Sequence, residues 1–99
     1  MRIRMDPVER KAQLLDAAYQ IAKCAGIKAV KRVSVAEACS VTEGVINMYF
    51  GNIKGLRNEV MERAVKMKNA PLLAEASKYY TLPSMPRTLM RDVRNLWNN

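Results

Sequence analysis

The sequence predicts an all-α fold: a helix-turn-helix bundle with a long fourth helix and short C-terminal helices. Three observations carry this. Apolar residues recur at helical spacing along most of the chain, capping residues stand before these stretches, and no run of alternating β-formers interrupts them. The chain has 99 residues, enough for one core that buries about 60–65% of the unfolded surface. No internal repeat is visible.

Each element can be justified in turn. Asp6 is placed to cap a first helix, with Pro7 at its first position and Glu9 at capping-box spacing. Leu14, Ala18, Ile21 and Ala25 form its inward stripe, flanked by Leu15 and Ala22, and Gly26 ends it in a left-handed cap. A second, short helix is expected from Ser34, paired with Glu37 as a capping box, to Cys39 or Ser40. Thr42 caps a third, with Val45, Ile46 and Tyr49 inward, and Gly51 and Asn52 break it. Asn52 caps a fourth, whose stripe is Ile53, Leu56, Val60, Ala64 and Met67 and whose length Pro71 limits. A fifth helix is expected over 72–80. The run Leu82-Pro83-Ser84-Met85-Pro86 breaks the chain before a last helix over 87–97. There Arg87, Arg91 and Arg94 fall on one side and Leu89, Val93, Leu96 and Trp97 on the other. This divides the chain into residues 1–70, the helix-turn-helix unit, and 71–99, a short helical extension suited to dimerisation or partner contact.

Charge narrows the function. Seventeen Lys and Arg against nine Asp and Glu give +8, which points to a polyanion. The excess is uneven: residues 1–32 hold eight basic and three acidic side chains, residues 33–99 nine and six. With no histidine, no glycine-rich phosphate loop and no acidic cluster, catalysis finds no support; no catalytic residue, metal or cofactor is expected. Glu59 and Glu62 read as the polar face of the fourth helix. The two cysteines, Cys24 and Cys39, stand among small and apolar residues and read as reduced core thiols. No apolar run reaches the length of a membrane span, and Arg2 and Arg4 are followed by no signal-like stretch. The expected location is the cytoplasm, at the nucleoid, or a host's cytoplasm if a phage or plasmid encodes the chain.

Residues 32–51 carry the mechanism. A helix-turn-helix needs a small residue where its helices cross, which Ala36 supplies after the buried Val35. It needs a tight turn followed by an apolar plug, Ser40 and Val41, and inward residues along the second helix, Ile46 and Tyr49. Ser40 stands where the turn favours glycine, at a strain of about 1 kcal/mol. Thr42, Glu43, Gly44, Asn47 and Met48 then face outward, on a helix able to enter the major groove. Thr42 can offer hydroxyl and backbone N–H to a phosphate, and Gly44 permits close approach. Asn47 can pair with adenine, Glu43 accept from cytosine, and Met48 touch a thymine methyl. Lys31, Arg32 and Lys54 suit phosphate clamps, and Arg2 and Arg4 a minor-groove arm.

The stretch Leu14 to Leu56 resembles the DNA-binding domain of the tetracycline-repressor family. That family's first helix reads roughly I-L-x-A-A-x-x-L-F before a glycine, against Leu14-Leu15-Asp16-Ala17-Ala18-Tyr19-Gln20-Ile21-Ala22 and Gly26. Its helix-turn-helix reads I-A-x-x-A-G-V-S-x-G-T-L-Y-x-H-F, against Val35-Ala36-Glu37-Ala38-Cys39-Ser40-Val41-Thr42-Glu43-Gly44-Val45-Ile46-Asn47-Met48-Tyr49-Phe50. Asn52 and Leu56 resemble the start of the family's fourth helix. The chain departs from the pattern at Ser40 (glycine), Asn47 (a phosphate-touching tyrosine) and Tyr49 (histidine), and it carries the acidic Glu43. The resemblance implies a sequence-specific regulator of double-stranded DNA, more readily a repressor, acting as a homodimer on an inverted repeat. Little chain follows Pro71, so the family's inducer-binding domain, and with it a small-molecule inducer, is not expected. The alternative is a helical co-regulator that binds a transcription protein through residues 72–97. A third reading, the Arg87/Arg91/Arg94 helix lying on an anionic membrane, is weakened by its short apolar face.

Overall fold

A computed structural model describes residues 6–97. Its α-helices are α1 (Pro7–Ala25), α2 (Arg32–Cys39), α3 (Glu43–Phe50), α4 (Ile53–Lys66), α5 (Ala70–Ala76) and α6 (Arg87–Trp97), with a short 3₁₀ turn at Ile27–Ala29. The fold is an all-α helix-turn-helix bundle, and no strand occurs among the described residues. None of its helices is long and apolar enough to cross a membrane. The molecule is elongated, 52 × 21 × 21 Å.

The first helix starts as its sequence dictates: Asp6 Oδ1 accepts from the Val8 N–H at 2.8 Å, ahead of Pro7. Its buried stripe is Leu14, Ala18 and Ala22, with Tyr19 beside them. Ile21 is half-buried and Ala25 exposed, so the core face is turned from the one the spacing suggested. Tyr19 can lie inside because its hydroxyl accepts from Asn69 Nδ2 at 3.0 Å. Gly26 ends the helix at φ 93°, ψ 161°, an extended positive-φ conformation open essentially to glycine and distinct from the left-handed helical cap expected. The next residue's N–H, that of Ile27, is tied by Glu75 Oε1 of α5 at 2.7 Å. A side chain on Gly26 would meet that same oxygen at 3.2 Å.

The start of α2 differs from expectation. It begins at Arg32, with Lys31 as a cap residue that makes no side-chain bond, and Ser34 lies inside the helix. The cause is upstream. Val30 is fully buried, its N–H bonds the Ile27 carbonyl (3.1 Å), and its own carbonyl accepts from Arg57 Nε (3.0 Å). The chain is thereby pinned at Val30 and turns helical at once, the Val35 N–H reaching back to Lys31 O at 3.1 Å.

Two helices end in the same device. After α2, Ser40 takes φ 55°, ψ 44°; its N–H bonds Glu37 O (3.3 Å) and the Val41 N–H bonds Ala36 O (3.0 Å), a Schellman pair. After α4, Lys68 takes φ 54°, its N–H bonds Val65 O (3.1 Å) and the Asn69 N–H bonds Ala64 O (2.8 Å). Lys68, and not Pro71, therefore ends α4, and Met67 is exposed instead of completing the inward stripe. Pro71 instead opens α5, where it has no N–H to lose, and Asn69 Oδ1 caps that helix by accepting from Leu72 N–H at 3.2 Å. α5 is displaced from 72–80 to 70–76 accordingly.

The core joins Leu14 and Ala18 of α1, Val35 and Ala36 of α2, Ile46 and Phe50 of α3, Leu56, Val60 and Met61 of α4, and Leu72 and Leu73 of α5. Leu89 and Val93 bury one face of α6 against α5. Cys39 is buried as expected, and burial raises its thiol pKa although Arg10 pulls the other way. Cys24 is exposed, contrary to its reading as a core thiol, because position 24 lies off the Leu14–Ala18–Ala22 face.

Ser40 is exposed, so its side chain contributes little to offset the left-handed backbone. Ser40→Gly is expected to stabilise the fold by about 1 kcal/mol in urea unfolding; a loss of stability would show that the serine side chain supports the turn.

Candidate nucleic-acid interface

The candidate surface is built by two short helices that neither length nor propensity would hold alone. Ala36 is small and buried at the α2–α3 crossing, and Val41 plugs the turn with its half-buried side chain. Ile46 and Phe50, four residues apart, seat α3 in the core. The expected inward partner of Ile46 was Tyr49, which is only half-buried, as is Val45. Phe50 takes that place because i, i+4 keeps both side chains on one stripe. Lys11 Nζ lies 5.3 Å from the Phe50 ring centroid and 3.5 Å from Glu59 Oε2, so one lysine ties α1 to both α3 and α4.

This seating leaves Thr42, Glu43, Gly44 and Met48 exposed together, Met48 at 71%. Thr42 occupies the N-cap of α3, but its hydroxyl makes no cap bond. Lys31 likewise caps α2 without a side-chain bond. Arg32 and Glu43 are the first residues of α2 and α3, and they pair at 3.9 Å, each about half exposed. Two helix N-termini that lack side-chain caps are thus set side by side. Each carries partial positive charge and N–H groups suited to an anion. The carboxylate of Glu43 presently faces Arg32. Two of the expected contacts, Arg32 and Glu43, therefore partly neutralise each other, which sequence spacing did not reveal.

Lys31 and Arg32 stand exposed at the start of α2, and Lys54 stands exposed at the second position of α4. Among residues 43–50 there is no Lys or Arg, so positive charge frames α3 and does not lie on it. Arg2 and Arg4, expected as an arm, lie outside the described residues. Asn47 is brought to the site only in part: it is half-buried, and its Oδ1 is enclosed with no hydrogen-bond partner. An adenine contact from Asn47 requires its amide to turn outward.

Arg57 carries no local signal of its role. Its spacing marks it as a surface residue, yet it is half-buried, bonded to the Val30 carbonyl and stacked 5.7 Å from the Tyr80 ring. Compared with known proteins, the chain matches no family model. No curated protein and no solved structure is significantly similar to it either.

The enclosed Oδ1 of Asn47 carries a desolvation cost of about 1–3 kcal/mol. Asn47→Ala removes the orphaned atom and improves helix propensity, so the variant is expected to unfold at higher urea than the parent chain. A lower midpoint would mean that the amide is satisfied in solution.

Proposed function

We propose that this chain is a sequence-specific double-stranded DNA-binding regulator of the tetracycline-repressor type. In this reading α3 enters the major groove, and the framing cations hold the backbone. The observation that carries it is the exposed Thr42–Met48 face of α3 beside two helix N-termini without side-chain caps, flanked by Lys31, Arg32 and Lys54. Base preference rests on Glu43, Met48 and an outward-turned Asn47. Gly44 has only Thr42 Oγ1 near its open side, at 3.9 Å, which leaves room for close backbone approach.

A module of this size reads few base pairs, so the proposal includes a homodimer on an inverted repeat, acting by occlusion as a repressor. The exposed Met90 and Leu96 on α6 support a contact there. Those same residues, with the acidic Glu43 on α3, favour the second reading, a co-regulator that holds a transcription protein through 72–97. No small-molecule inducer enters either reading.

Selection of bound duplexes from random sequence separates the two. The DNA reading expects enrichment of an inverted repeat, whereas the co-regulator reading expects none. Glu43→Gln releases Arg32 and removes one negative charge from the face. It is expected to tighten binding to a mixed-sequence duplex several-fold at low salt while reducing preference for the selected site. Unchanged or weaker binding to the mixed-sequence duplex would remove Glu43 from the DNA face.

A further inference from the structure

The chain after α5 does not leave the bundle directly. Residues 79–83 fold back beside the first half of α4 and enclose a half-open cavity of about 520 Å³ with Lys54, Asn58, Met61 and Glu62. Tyr79 is 49% exposed at its rim, and Lys28 Nζ from the 3₁₀ turn sits 4.5 Å from its ring centroid. Tyr79 meets Tyr80 edge to face with centroids 6.4 Å apart, and the Tyr80 ring rests on Arg57. Lys78, beside them, is exposed.

This corner adjoins the proposed DNA face. Arg57 connects them: it packs on Tyr80 and also holds the carbonyl of Val30, the residue just before Lys31 and Arg32. Lys54 belongs to both, as a framing cation of α3 and as a wall of the cavity. The acid of the cavity, Glu62, lies eight residues further along α4, about 12 Å from Lys54 at the helical rise. The end of the cavity nearer α3 therefore carries positive charge, and the Tyr79 phenol at the rim adds a hydrogen-bond donor, a pairing that suits a phosphodiester backbone.

We propose that Lys28 and Tyr79 form a second phosphate-binding surface that continues the DNA contact from Lys54 past the helix-turn-helix. The inference rests on the DNA-binding reading. Lys28 supplies charge, and the Tyr79 hydroxyl donates a hydrogen bond to a phosphate oxygen. The surface holds the backbone and reads no base.

The test measures binding of a mixed-sequence duplex against salt for the full chain. Lys28→Gln is expected to lower the slope of log affinity against log salt by about 1. Tyr79→Phe, which keeps the ring under Lys28, is expected to weaken binding two- to five-fold and leave the slope unchanged. Lys66→Gln, at the far end of α4, serves as control and should alter neither. Each variant's unfolding midpoint is measured alongside, and Lys28→Gln and Tyr79→Phe are expected to unfold at the parent chain's urea concentration. If the parent chain binds duplex and Lys28→Gln keeps its slope, this inference falls and the DNA reading stands. If the parent chain binds no duplex, both fall. A third arm adds inorganic phosphate without DNA. Phosphate that stabilises the parent chain but not Lys28→Gln, with no change in duplex slope, would assign the corner to a free anion and overturn the proposal.

Discussion

Arg57 holds three parts of the molecule at one point. Its Nε donates to the Val30 carbonyl at 3.0 Å and its guanidinium packs on Tyr80. A hydrogen bond from a half-buried charged donor to a buried carbonyl contributes about 1.5–3 kcal/mol. Its structural effect is larger than that figure suggests. By pinning Val30 it sets where α2 begins, and the start of α2 sets where Arg32 stands. Arg32 meets Glu43 at the start of α3, so the relation between the two helix N-termini goes back to a residue on α4. The same side chain packs the segment after α5 against α4 through Tyr80, and the neighbouring Tyr79 meets Lys28 of the 3₁₀ turn.

A second set of polar bonds fixes the frame behind the site. Asn69 caps α5 with its carbonyl oxygen and gives its amide to the Tyr19 hydroxyl in the core. Glu75 accepts from the Ile27 N–H at the glycine break after α1. These bonds cross between α5 and α1 where the apolar core alone would allow sliding, because apolar contact is non-directional and hydrogen bonds are not. The left-handed residues Ser40 and Lys68 turn the chain at the two places where helices must reverse closely. One face of α3 can then remain polar and exposed while Ile46 and Phe50 anchor it.

Much of this was legible in the residues. The Asp6-Pro7 start, the tight turn at Ser40, the Asn52 cap and the 87–97 helix each follow from local chemistry, and the structure carries them as read. Local signals failed where a distant partner decides the outcome. Ser34 and Glu37 have capping-box spacing, yet the chain pinned at Val30 by Arg57 starts the helix three residues earlier, with Lys31 as its cap residue. Pro71 looks like a terminator, but Asn69 makes it the opening of α5. Tyr19 fell outside the apolar stripe because its partner, Asn69, lies fifty residues away. At the site, helical periodicity groups Thr42, Glu43, Gly44, Asn47 and Met48 as outward, and all of these but Asn47 are exposed. It could not show that Glu43 faces Arg32 or that the Asn47 oxygen is enclosed, since both depend on how α2 and α3 are set against each other.

In the proposed function, the molecule meets its partner at the exposed side of α3 and its cationic margin. Backbone amide shifts of the labelled chain, followed through a titration with mixed-sequence duplex, test this most directly. Shifts are expected to concentrate at Thr42, Gly44 and Met48, at Lys31 and Lys54, and at Lys28 and Tyr79, with α6 unmoved. Shifts confined to α6 around Met90 and Leu96, or none at any duplex concentration, would contradict it.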